Sequence, residues 1–363
     1  MRLLQVVYPN FGGALSVAKS IYSGTKKNKL KIKNSFIFYG NDILEKKISA
    51  DLKYKKKNIA YFYQRKKFFN FLYYFKIYKY IKKIKPRLII SHENLLYPCF
   101  VYKIFNKTKL FYVYHTPFEY KFSHFYKFFF GLIFSDYFFL VSKRKYKILK
   151  FLFLFKYKIK VVENGIDRSF FKKNKNVKKN TELFKIGMAC RFVNQKRPDL
   201  VIKMVKNNKK FFQEKNIHLS FCGDGPNLKK LKKFVTTNKL EKIIKFEGYL
   251  SDIQIKKWFN GLDLFLNISN FETTPTSILQ AFSIPIPVIA SDIEGIRQIS
   301  LNKYKKTKCI YLVKNNELNI FKAIKKLFYN RSLYNQHKSS ADIASKNIYN
   351  DKVMFDKYLS YLK

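Results

Sequence analysis

Acidic residues are scarce in this chain: 23 Asp and Glu face 74 Lys and Arg across 363 residues, a formal charge of +51. No Asp-x-Asp pair is present, so the usual way of holding a divalent ion beside a diphosphate is missing. Nor is there a Gly-x-Gly-x-x-Gly run, which argues against a nicotinamide cofactor. Cys99, Cys190, Cys222 and Cys309 are widely spaced and form no Cys-x-x-Cys pair. They read as buried free thiols of a reducing compartment, not as a disulfide framework or a zinc site. The longest lipid-like stretch, FYKFFFGLIFSDYFFLV from Phe125, is interrupted by Lys127, Ser135 and Asp136. It falls short of the roughly 20 apolar residues a spanning helix needs. The opening MRLLQVVYPNFGG reads as a first strand, because a secretory signal needs a longer apolar region and a cleavage site. A cytoplasmic location is expected, with no cofactor and no metal.

The composition is 47% hydrophobic and 27% charged, that of a globular protein, and the length suits two domains. The basic excess has three readings. Lys, Asn, Ile, Phe and Tyr are abundant together and share A/T-rich codons, so genome composition supplies one explanation. The densest basic-aromatic cluster covers 54–85, and its character continues to residue 160. Basic helices with large aromatic faces lie naturally on anionic membranes, the second reading. Single-stranded nucleic acid, bound by stacking and charge, is the third and ranks last.

Short apolar strands alternate with helix-length segments, the pattern of parallel α/β sheets. The first half has strand candidates LLQVVY, SFIFYG, RLIIS, LFYVYH, YFFLVS and IKVVE, with helices expected over 15–23, 68–83 and 143–155. A Lys/Asn-rich connector, 163–183, marks the best boundary. The pattern then restarts with FKIGMAC, IHLSFCG, IIKFEGY, LDLFLNI, PVIAS and CIYLV, followed by helices from 315 onward. Two α/β halves place a ligand cleft between them, at the carboxyl ends of the strands.

The most informative segment is NFETTPTSILQAF, 270–282. Glu272 ends an apolar strand, Thr274 is a candidate cap, and Pro275 suits the first position of a helix carrying Gln280. A carboxylate next to a helix N-terminus suits a ligand with both phosphate and hydroxyls, such as a sugar diphosphate. Arg191 and Lys196 flank the loop after FKIGMAC, where two cations can neutralise a departing diphosphate. Gly12 and Gly13 follow the first strand and permit close approach of a phosphate or sugar, although in isolation an ordinary strand-to-helix turn is the preferred reading. Gly223 and Gly225 make a tight turn in CGDGP, where Asp224 is a candidate cap and Pro226 a helix start. His92 and His115 end two strands and are expected to face the cleft, without metal-ligand spacing.

In this order, the landmarks resemble glycosyltransferase family 4, of the GT-B fold with two Rossmann-like domains. The resemblance rests on Gly12-Gly13, His115, Ser142, Asn164-Gly165-Ile166-Asp167, Arg191, Lys196, Gly223–Pro226, Gly248 and Glu272 with its helix. It implies an acceptor-binding domain over 1–165, a linker over 166–183 and a nucleotide-sugar-binding domain over 184–345. A terminal helix, 346–363, is a candidate to pack back on the first domain. By resemblance Arg191 and Lys196 hold the diphosphate, Glu272 contacts sugar hydroxyls, and the turn Thr274-Pro275-Thr276 belongs to the donor site, with N–H groups near Thr274 to Thr276 facing the donor. Gly223 and Gln280 join the donor site, and His115 and Gly13 approach from the other side.

The activity implied is a retaining, metal-independent transfer from a nucleotide-diphosphate sugar to a glycan or lipid-linked acceptor of the lipopolysaccharide, O-antigen or capsule type, at the inner membrane face. Two departures stand out. Gln280 replaces the second glutamate of the family, and the usual Gly-Gly-x-x-Glu reads Glu294-Gly295-Ile296-Arg297-Gln298. They leave two alternatives open: an inactive relative, or a basic protein that binds membrane or nucleic acid.

Overall fold

The computed structural model describes residues 1–8, 13–40, 58–63, 71–93, 96–115, 122–143, 155–171, 182–302 and 307–362. The chain forms two compact units. One comprises Met1–Asp167 with Tyr349–Lys363, the other Arg168–Ile348.

The first unit is built on a seven-stranded parallel sheet: β1 (Arg2–Val7), β2 (Lys33–Gly40), β3 (Ile59–Tyr63), β4 (Leu88–His92), β5 (Lys109–Tyr114), β6 (Tyr137–Leu140) and β7 (Ile159–Val161), in the order β3-β2-β1-β4-β5-β6-β7. Parallel strands are covered on both faces, which is why they read as continuous apolar runs. Leu4, Val6, Ile89 and Leu110 pack against Tyr73, Ile77, Cys99, Phe128 and Leu132 of three helices. Leu3, Leu88, Ile90 and Phe111 face the opposite way, onto Val17, Ile21, Phe355 and Tyr358. Burial of each such side chain contributes about 1.5–3 kcal/mol, offset by the entropy of ordering the chain. β3 was absent from the strand candidates because its residues, IAYFY, sit inside the basic-aromatic cluster. The helix expected over 143–155 lies almost wholly outside the described residues, as do Gly12 and residues 68–70 of the helix now seen at Phe71–Ile84.

The terminal segment completes this unit. Helix Asp351–Ser360 packs beside helix Gly13–Lys27, and Lys27 Nζ lies 2.6 Å from Asp351 and 2.9 Å from Asp167. The Asn164–Asp167 landmark has a physical explanation here. Ile166 bridges to Asn350, and a Cβ on Gly165 would stand 2.2 Å from the Asn350 carbonyl oxygen. Only glycine allows the returning chain that close.

The second unit repeats the architecture with β8 (Phe184–Ala189), β9 (Ile217–Cys222), β10 (Ile244–Gly248), β11 (Leu264–Asn267), β12 (Val288–Ser291) and β15 (Ile310–Val313), all parallel in the order β10-β9-β8-β11-β12-β15. A short hairpin, β13 (Leu301–Asn302) with β14 (Thr307–Lys308), stands apart from this sheet. In each sheet the strand order reverses once, between β1 and β4 in the first and between β8 and β11 in the second. In doubly wound sheets, ligands bind at the carboxyl ends of strands at such a switch point.

Candidate functional site

In the second unit the switch point brings Lys196 and Glu272 together. Lys196 follows β8 and Glu272 follows β11, and neighbouring strands deliver their loops to the same edge. The Lys196 ammonium and the Glu272 carboxylate form an ion pair in which the glutamate side chain is 8% exposed. The two loops are stitched around it. Gln195 Nε2 donates to the Phe271 carbonyl at 2.9 Å, and Asn270 N–H donates to the Gln195 carbonyl at 2.8 Å. Ser269 N–H donates to Ser291 Oγ at 2.8 Å, and Asn315 Nδ2 donates to the Ser269 carbonyl at 3.0 Å, tying in the ends of β12 and β15.

Strained backbone supports the lysine. Arg197, immediately after Lys196, has φ of 45°, in the left-handed region a non-glycine residue seldom adopts. It leads directly into helix Pro198–Asn207, whose proline occupies the first turn where no N–H is needed. Gly295 supports the glutamate: a Cβ there would lie 2.0 Å from the Glu272 carbonyl oxygen and 2.7 Å from that of Thr273. Another close approach lies after β9. Gly223 has φ of 130°, and a Cβ on it would meet the Cys190 carbonyl oxygen at 2.0 Å, so the fold itself requires glycine at this position.

The helix beside Glu272 differs from expectation. It spans Thr276–Ser283, with Pro275 at the N-cap position and no side-chain hydrogen bond capping it, so Thr274 is not its cap. Proline has no N–H and its ψ of 116° is extended, which sets the helix start one residue later than the sequence suggests. Thr274 is buried, and Gln280 is half-buried on this helix. Arg191 is exposed on the loop after β8 and takes no part in the Lys196–Glu272 pair. Asp224 does not cap a helix either; its carboxylate accepts from the N–H of Gly225 at 2.7 Å, and the helix begins at Leu228 rather than Pro226. Burial pushes the Cys190 thiol up to about 12, so it is no nucleophile for this site.

The first unit has its own arrangement at its switch point. His115, at the end of β5, lies 2.9 Å through Nε2 from Nδ1 of His92, whose Nε2 is 3.3 Å from Oε1 of Gln5 on β1. His92 was expected to face a ligand; instead it is fully buried behind His115. Burial, and then the charge of His115, hold its pKa well below the ordinary histidine range. Gly13 opens helix Gly13–Lys27, exposed, with no atom within 4 Å of where a Cβ would stand. Among the described residues, no three His, Cys, Asp or Glu side chains converge as a metal centre requires, and no helix is long and apolar enough to cross a membrane.

Gln5, Gln195 and Gly295 escaped the sequence reading of the site. Gln5 had one signal, a lone amide within the apolar strand LLQVVY. Gly295 had another, as the remaining glycine of the altered Gly-Gly-x-x-Glu segment.

Two Rossmann-like units, each with its polar cluster at the switch point of a parallel sheet, define the GT-B class of fold. Residues 169–343, nearly all of the second unit, match the family of glycosyl transferases group 1. The chain is 32% identical over 140 residues to Protein CapJ of Staphylococcus aureus, a match covering 38% of this chain and 34% of that protein. It thus spans about a third of the length of that curated relative. Among solved structures, Anabaena HepE in complex with UDP-glucose is similar at a TM-score of 0.78 and 15% identity, over 100% of this chain and 99% of the other. A mutant of S. aureus TarM, in complex with Fondaparinux, alpha-GlcNAc-glycerol and UDP, is similar at 0.73 and 14%, over 100% and 99%. At these identities the structural likeness speaks for the fold.

Proposed function

We propose that this chain transfers a sugar, with retention of configuration and without a metal ion, from a nucleotide-diphosphate sugar to a glycan or lipid-linked acceptor. The observation that carries this is the Lys196–Glu272 pair at the β8/β11 switch point, beside the start of helix Thr276–Ser283. Without donor, each charge satisfies the other. A bound diphosphate draws the ammonium to itself and leaves the carboxylate to accept hydrogen bonds from sugar hydroxyls, so the pair divides along the two halves of the ligand. As the sugar–phosphate bond breaks, negative charge grows on the diphosphate; Lys196, Arg191 and the helix N–H groups stabilise it. The complexes of HepE with UDP-glucose and of TarM with UDP support a UDP-sugar as the first donor to try.

The acceptor reading draws on the first unit. Helix Phe71–Ile84 turns Tyr73, Ile77 and Ile81 inward and leaves Phe71, Leu72 and Phe75 at 66%, 67% and 41% exposure. Lys76, Lys79, Lys82 and Lys83 share that outer side, with Lys79 Nζ 4.8 Å from the Phe75 ring centroid. An exposed aromatic end joined to a lysine stripe suits an anionic membrane surface, where a lipid-linked acceptor resides. In this reading the protein works at the cytoplasmic face as a peripheral protein.

A panel of UDP-, GDP- and CMP-sugars tests the proposal by thermal shift and slow donor hydrolysis. Stabilisation and turnover of one donor class are expected. Absence of both across the panel rejects the transferase reading in favour of an inactive relative or a basic binding protein.

A further inference from the structure

The hydrogen-bonded chain Gln5–His92–His115 has one polarity, and it can be read from its buried end. Gln5 is fully buried in the middle of β1, and its Nε2 donates to the Ala18 carbonyl at 3.1 Å. That bond settles which end of the amide is which, so Oε1 is the atom 3.3 Å from His92 Nε2. A carbonyl oxygen only accepts; His92 Nε2 therefore carries the proton. The pressure of burial against charge keeps His92 neutral, and a neutral imidazole has a single N–H, so its Nδ1 is an acceptor. His115 Nε2, 2.9 Å away, must then be the donor.

The ring geometry agrees. The centroids are 5.2 Å apart with only 14° between the planes. With 2.9 Å between the nitrogens and one ring radius on either side, that is two rings meeting edge to edge in a common plane, as an N–H···N bond requires. His92, on the acceptor side, is followed by Glu93 with φ of 66°, in the left-handed region.

We propose that Gln5 and His92 are positioning residues that lock His115 in the Nε2–H tautomer, so that any proton His115 gains or gives passes through Nδ1. A locked ring hydrogen-bonds a hydroxyl through one known nitrogen and does not lose affinity to the wrong tautomer. The consequence for sugar transfer rests on the function proposed above; the tautomer itself does not.

The test is nitrogen NMR of the full chain with isotope-labelled histidine rings, at about pH 8, above the ordinary histidine pKa of roughly 6.5. His115, assigned with a His115→Asn variant, is expected to show a protonated Nε2 and a bare Nδ1. His92→Leu is expected to give a mixture of both tautomers, and His92→Asn, whose Oδ1 stands near the place of Nδ1, to restore one. Thermal melting shows whether His92→Leu folds; if it does not, Gln5→Met, which removes the acceptor for His92 Nε2–H, is expected to produce the same mixture. A wild-type His115 protonated on Nδ1, or a tautomer unchanged in the folded Leu or Met variant, overturns the proposal. These spectra need no donor, so they stand or fall apart from the transferase reading. With an active donor in hand, His92→Leu is further expected to lower kcat with little change in KM, and His92→Asn to recover it.

Discussion

Gly295 lies directly against the backbone of Glu272: a side chain on it would place a carbon 2.0 Å from the Glu272 carbonyl oxygen. The residue one strand later in sequence therefore sets how the carboxylate is presented. Gly295→Ala is expected to push the 271–273 turn away and break the ion pair with Lys196. Donor-induced thermal stabilisation should largely disappear while the unliganded melting temperature falls by only a few degrees, about 1–3 kcal/mol for an overpacked site. Full donor stabilisation in this variant would show that the turn tolerates displacement.

Lys196 and Glu272 carry opposite halves of the proposed site. Lys196→Ala and Glu272→Gln are each expected to lower donor turnover by about 100-fold, the cost typical of removing one preorganised charge contact. The double variant should lose less than the product of the two, because each partner left alone also loses its ion pair. Steady-state kinetics on the best donor reads this, and strictly multiplicative losses would argue against a shared site.

The terminal helix depends on Lys27. Burial alone would lower its pKa, but its hydrogen bonds and attraction to Asp351 and Asp167 outweigh that and raise it. The sign follows: its folded pKa is above the unfolded value, so the stabilisation is complete below about pH 10.5 and is lost as pH rises through the folded pKa. Lys27→Met leaves the Asp351 carboxylate buried without its cation. A loss of about 1–3 kcal/mol in urea unfolding at neutral pH is expected, discounted because Lys27 is a third exposed. Equal stability of Lys27→Met and wild type at neutral pH would remove the tether from the account.

His92 predicts the acid behaviour of the first unit. Its folded pKa is depressed, so its contribution is present above the unfolded value of roughly 6.5 and is lost as pH falls toward the folded pKa. Melting temperature is expected to drop below about pH 6.5, less steeply in His92→Asn, which takes up no proton. A slope unaffected by the substitution would assign the acid sensitivity to other groups.

The proposed membrane docking uses the outer side of helix Phe71–Ile84. Replacing Phe71, Leu72 and Phe75 together with Ser is expected to abolish flotation with anionic vesicles at physiological salt and to leave donor hydrolysis intact. Persistence of flotation in this variant, with its loss at high salt, would mean that the overall charge of +51 alone holds the protein at the surface.

Much of this was legible in local sequence. Strands buried on both faces announce themselves as apolar runs, and all six candidates in the second half became strands of its sheet. Glu272 was visible because a carboxylate at the end of LDLFLNI has few structural reasons to be there. Local pattern failed where chemistry was masked or shared: IAYFY hid among basic aromatics, and Pro275 shifted a helix start by one residue. His92 read as a ligand-facing residue because position at a strand end does not tell which way its side chain turns.

The sequence alone determined most of the segments that become strands, because an apolar run is a property of neighbours along the chain. It also determined the chemical types at the strand ends: a lysine after β8, a glutamate after β11, a histidine closing β4 and another just after β5. Strand order was decided only by the tertiary structure. Setting β11 beside β8 paired Lys196 with Glu272 across 76 residues, and setting β4 between β1 and β5 put His92 between Gln5 and His115. Such pairings depend on how whole sheets bury their two faces, and no window of sequence contains that balance.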